Sequence, residues 1–79
     1  MLMIGCPKVK LLAEKMNGLN YEGVHFEVTS VEGLSMKVKH SAETDSAAKA
    51  VVKKYIAGIP ELKNMYTNIQ LIDEQGRIL

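Results

Sequence analysis

Apolar and polar residues alternate along this chain in two different rhythms. Between Pro7 and Gly18, Val9, Leu12, Ala13 and Met16 recur at i, i+3, i+4 and i+7, the stripe that one face of a helix buries. Pro7 suits the first helical position, and Gly18 suits the left-handed residue just past the last. From Val24 the period drops to two. Val24, Phe26 and Val28 alternate with His25, Glu27 and Thr29, and Leu34, Met36 and Val38 then alternate with Ser35, Lys37 and Lys39. This pattern predicts two half-buried strands. Glu32-Gly33 as a two-residue turn would set Val28 opposite Lys37 and mix core with solvent. A three-residue loop, Val31-Glu32-Gly33, pairs Val28 with Met36, Phe26 with Val38 and Glu27 with Lys37, so that register is expected.

The helical period returns after Thr44 and Asp45, which offer an N-cap. Ala48, Val51, Val52, Tyr55 and Ile56 form the apolar stripe, Ser46, Lys49, Lys53 and Lys54 lie off it, and Gly58 ends the helix. Pro60 offers a start for a second short helix carrying Leu62, Met65 and Tyr66. Asn68 to Ile72 reads as a strand, Asp73-Glu74-Gln75-Gly76 as a turn, and Arg77 to Leu79 as a short return. If Met1–Ile4 also pairs, the order is βαββαβ, the ferredoxin-like split plan; if not, it is αββααβ. Either order gives an α+β two-layer sandwich, a small and mostly antiparallel sheet with two helices on one face.

Length and composition narrow this further. Seventy-nine residues suit a single domain over 1–79, with a core that is small and, at 5% aromatic residues and no Trp, aliphatic. Ten basic against nine acidic residues leave a net charge of +1, unlike the strong basic excess of a general nucleic-acid binder. One cysteine makes no internal disulfide, and the opening apolar run is too short for a signal peptide or a membrane span. The expected location is cytoplasmic.

Cys6 is the first residue to weigh for chemistry. A thiol beside a helix N-terminus with Lys8 and Lys10 nearby would favour the reactive thiolate. It lacks a resolving thiol and a sequence-local base, so a strand-to-helix joint is the expected role of Gly5-Cys6-Pro7. The same loop of a βαββαβ domain carries two cysteines in heavy-metal-associated domains; here one of the two positions is filled, so no metal site is expected. One cysteine and two histidines fall short of structural zinc. In the expected register His25 and His40 point to opposite faces, His25 exposed and His40 partly covered near the sheet end. No serine lies in a strained nucleophile turn, Asp73-Glu74 sits in an exposed turn, and no Gly-rich phosphate loop occurs. No enzyme activity and no cofactor are expected.

For nucleic acid, the RNA-recognition motif needs aromatics on its central strands, and Leu34–His40 and Met1–Ile4 have none. The order helix, strand, strand, helix, short helix, strand resembles the bacterial type of KH domain, in which a GxxG loop between two helices holds the nucleic-acid backbone. Gly58 matches the first glycine, but Glu61 stands in place of the second, where a carboxylate repels phosphate. The resemblance implies contact through Gly58 to Lys63 and the nearby Lys37, Lys39, Lys49, Lys53 and Lys54. Against it, a helix C-cap followed by Pro explains the same residues. The leading expectation is a small non-enzymatic interaction module, binding a protein partner or a second copy; single-stranded RNA binding is the alternative.

Overall fold

The computed structural model describes residues 1–62 and 65–79. Met1–Ile4 does pair. Strand β1 spans Leu2–Gly5, helix α1 Val9–Met16, the two-residue strand β2 Asn20–Tyr21, β3 Val24–Glu32, β4 Ser35–His40, helix α2 Asp45–Ala57 and β5 Asn68–Leu71. The sheet runs β2-β3-β4-β1-β5 with antiparallel pairing throughout. The chain begins with a strand, as one of the two expected orders requires, but β2 makes the full order βαβββαβ, which matches neither strand for strand. Residues 60–62 form a turn rather than the start of a helix.

Alternation decides which face is buried. Leu2 and Ile4 on β1, Val24 and Phe26 on β3, Met36 and Val38 on β4 and Ile69 on β5 share one side of the sheet. The helices lie on that side, because Val9, Leu12 and Met16 from α1 and Ala48, Val52 and Ile56 from α2 join the same buried cluster. Every buried residue in it is apolar. At roughly 25 cal/mol per Å² of apolar area removed from water, this burial is the main force holding the layers together. Among the described residues no helix is long and apolar enough to cross a membrane.

The β3–β4 hairpin departs from the expected register. Val28 pairs with Val38 and Phe26 with His40, but Ser30 pairs with Lys37 and Val31 with Met36. The shift is a bulge at Thr29, whose hydroxyl donates to the Lys37 carbonyl at 3.2 Å. Past the bulge the buried side of β3 passes from even to odd residues, so Val31 meets Met36 and the turn shortens to Gly33-Leu34. Gly33, at φ +57°, takes the first turn position, where a II′ turn wants glycine. Leu34 therefore leaves the buried face. A second hairpin, β2–β3, turns on Glu22 (φ 52°) and Gly23 (φ 78°), both left-handed as a I′ turn requires.

Three of the four helix ends follow the sequence; α1 starts at Val9 with Lys8 at the N-cap, so Pro7 lies in the preceding turn and not at the first helical position. Thr44 accepts the Ala47 N–H at 3.1 Å and caps α2. Gly18 is left-handed (φ 81°) just beyond α1. Gly58 closes α2 in a right-handed conformation, with φ −89°. After β5, the Asp73–Gly76 turn returns the chain so that Leu79 N–H donates to the Leu71 carbonyl at 3.0 Å.

Candidate functional site

Cys6 follows β1 directly. Its N–H donates to the Leu34 carbonyl at 2.8 Å, and its own carbonyl accepts from Val9 N–H at 3.1 Å. The backbone is thus fixed on one side by the hairpin turn and on the other by the start of α1. The side chain is 2% exposed and free of any disulfide, while Lys8 and Lys10 stand in solvent. Both histidines lie toward the other end of the sheet. His40 is five β4 residues from Ser35, roughly 16 Å by strand rise, and Ser35 is the partner of Gly5. Among the described residues Cys6 has no histidine or carboxylate beside it, and its backbone forms the joint.

Around that joint lies a groove of about 400 Å³, lined by Gly5, Cys6, Pro7, Leu34, Ser35 and Tyr66 and closed by Asn68. Its walls are mostly apolar. Leu34 is 64% exposed and Tyr66 76% exposed beside it. Leu34 stands there because the bulge shortened the turn. Tyr66 stands there because the segment before β5 alternates, with Thr67 and Ile69 toward the helices and Tyr66 and Asn68 away from them. Sequence periodicity assigned both residues to buried stripes. The missed signal is the three-residue step from Val28 to Val31, which marks the bulge.

The opposite end of the sheet holds a polar cluster. His40 Nδ1 accepts the Ala42 N–H at 3.2 Å, so in the neutral ring the proton sits on Nε2, which donates to Asp45 Oδ1 at 2.6 Å. The Met1 ammonium donates to the same oxygen at 2.8 Å. These donors, the ammonium first and His40 second, hold the Asp45 carboxyl below its ordinary range. A cleft of about 550 Å³ opens here among Met1, Thr29, Lys39, His40, Asp45 and Glu74. The pair has the partners of a catalytic dyad, with Nε2 facing the carboxylate and Nδ1 facing backbone. The lone pair a base would use is already taken by Ala42, so the arrangement ties the end of β4 to the first turn of α2.

His25, on the other face, is half-exposed and meets Asn20 at 2.9 Å and Glu27 at 3.3 Å. Asp73 accepts the Gln75 and Arg77 N–H groups at 2.9 Å each, and these bonds, led by that from Arg77, lower its pKa. It is a turn-former. Among the described residues no three His, Cys, Asp or Glu side chains gather as metal ligands.

Comparison with family models, curated proteins and solved structures finds no match for this chain.

The lysines singled out from the sequence divide between two faces. Lys37 and Lys39 alternate with buried Met36 and Val38 and so point away from the helices. The Lys37 ammonium lies against Gly76 of the C-terminal turn. Lys49, Lys53 and Lys54 belong to α2 on the other side, where Lys54 pairs with Glu22 at 2.9 Å. The two sets form no common patch. Gly58 and Glu61 are exposed after α2, and Lys63 lies outside the described residues. No second helix follows Gly58 among the described residues, so the helix-loop-helix implied by the KH resemblance has only its first half here.

Proposed function

We propose that this chain is a small non-enzymatic protein-interaction module whose partner docks in the groove beside Gly5. The supporting observation is the joint exposure of Leu34 and Tyr66 over an apolar groove, on a protein whose other large apolar side chains mostly join the core. Aromatic and aliphatic anchors of this kind carry most of the energy of protein contacts. The groove offers a partner shape and apolar area, and its lining carries no Asp, Glu, His, Lys or Arg. Both candidate reactive groups are otherwise engaged, Cys6 in packing and His40 in holding β4 to α2.

Site-specific photocrosslinking tests this reading. A benzophenone amino acid at position 66 yields a discrete protein adduct, either another protein or a second copy of the chain, and Leu34→Asp abolishes it. The same probe at Ala50, on the exposed side of α2, yields none. Equal labelling at both positions, or none at position 66, contradicts the proposal.

A second reading, contact with a phosphate backbone, has one observation in its favour. Lys10, Lys15, Lys49, Lys53 and Lys54 stand on the two helices and Lys8 caps the first, against only Glu14 and Asp45 there. The helical layer is more basic than the net charge suggests. Lys54 is already paired, however, and no aromatic stack for bases accompanies the lysines.

A further inference from the structure

Strand β5 ends the sheet on the side away from β2. Its inner groups face β1, since Ile72 N–H donates to the Met1 carbonyl at 3.1 Å. Antiparallel alternation then turns the N–H and C=O of Asn68 and Gln70 inward and those of Ile69 and Leu71 outward. Leu79 N–H, bonded to the Leu71 carbonyl at 3.0 Å, follows that geometry. Two residues earlier, the outward N–H and C=O of Ile69 have no partner among the described residues.

Directly beside this edge lies a second groove, about 230 Å³, between α2 and β5. Ile56, Leu62, Met65 and Ile69 line it together with Lys53 and Thr67. Thr67 Oγ1 is buried in its wall with no hydrogen-bond partner among the described residues. Lys53 is the charged residue of the lining and makes no ion pair among the described residues, unlike its neighbour Lys54. The groove is therefore apolar at its floor, cationic at one point, and flanked by a strand edge with unmet backbone groups.

We infer that α2 and the outer edge of β5 form a receptor for an extended peptide with an apolar residue and a nearby carboxylate. The peptide adds as a strand against Ile69, its main chain meeting the outward N–H and C=O. Residues directly opposite in a ladder share a face. The residue paired with Ile69 thus sends its side chain to the helix side, over Ile56, Leu62 and Met65, and the carboxylate meets the Lys53 ammonium. This site is independent of the Gly5 groove, because Tyr66 and Asn68 point to the other side of the segment that carries Thr67 and Ile69.

The test uses a pool of acetylated pentapeptides with Val, Leu or Ile at the second position and Asp or Glu at the fourth, so that both side chains lie on the helix side. It is read on the amide spectrum of the labelled full chain. The Ile69 amide shifts and its hydrogen exchange slows as the pool is added. N-methylation of the second and fourth residues abolishes the effect. Lys53→Glu weakens binding about fivefold, and a pool with Lys at the fourth position restores it to that variant. A stationary Ile69 amide overturns the inference, as does binding indifferent to N-methylation. An Ile69 shift that follows protein concentration without peptide also overturns it, assigning the edge to a second copy.

Discussion

At the scale of single residues, Asp45 joins the start of the chain to the end of β4. One oxygen receives both the Met1 ammonium and His40 Nε2, and the carboxyl pKa is lowered as a result. A depressed carboxyl stabilises the fold fully above its unfolded pKa, near 3.8, and loses that contribution as pH falls through the folded value. Asp45→Asn is therefore less stable than the parent at neutral pH, and the gap closes in acid. Urea midpoints across the acid range check this; a gap that widens in acid contradicts it. Gly23 gives a cleaner case. It sits at φ 78° with nothing within 4 Å of an added Cβ, so Gly23→Ala destabilises by about 1 kcal/mol through backbone conformation alone. An unchanged urea midpoint contradicts that. The His40–Asp45 contact was not legible in the sequence, where the two residues stand in different elements. The opposite orientation of the two histidines was legible, because alternation survives the correction of the register.

At the scale of elements, the hairpin of β3 and β4 is the instructive case. Alternation marked its strands, but neither the pairing nor the turn, which is Gly33-Leu34 and not the expected Val31-Glu32-Gly33. A bulge lets two stretches with different registers share one strand, and its trace in the sequence is the break between Val28 and Val31. Deleting Thr29 therefore joins the two stretches into a regular ladder with every core pair kept. That deletion lowers the melting temperature by no more than about 5 °C. Deleting Lys37 from β4 moves Met36 or Val38 off the buried face and unfolds the protein. Equal effects of the two deletions on the melting curve contradict the assigned register. The helices were easier to read, since Thr44 and Gly18 mark ends by local chemistry that packing does not override. Strand β2 left little trace, because two residues carry no periodicity and Glu22-Gly23 is not the usual Asn-Gly or Asp-Gly turn.

At the scale of the whole molecule, the architecture separates what the sequence runs together. The lysines that a KH-like contact would need together fall on opposite faces of the sheet, and two side chains read as core stand exposed at a groove. Only the three-dimensional path of the chain brings Leu34 beside Tyr66. The function proposed is recognition through this apolar groove rather than through charge. The measurement that tests that choice most directly is the amide spectrum of labelled protein, titrated with a mixed pool of short single-stranded RNA at low salt. The account predicts a spectrum that stays still. Shifts concentrated at Lys49 to Lys54 and Gly58 to Lys63, reversed by added salt, would contradict it and move the function to the helical lysines.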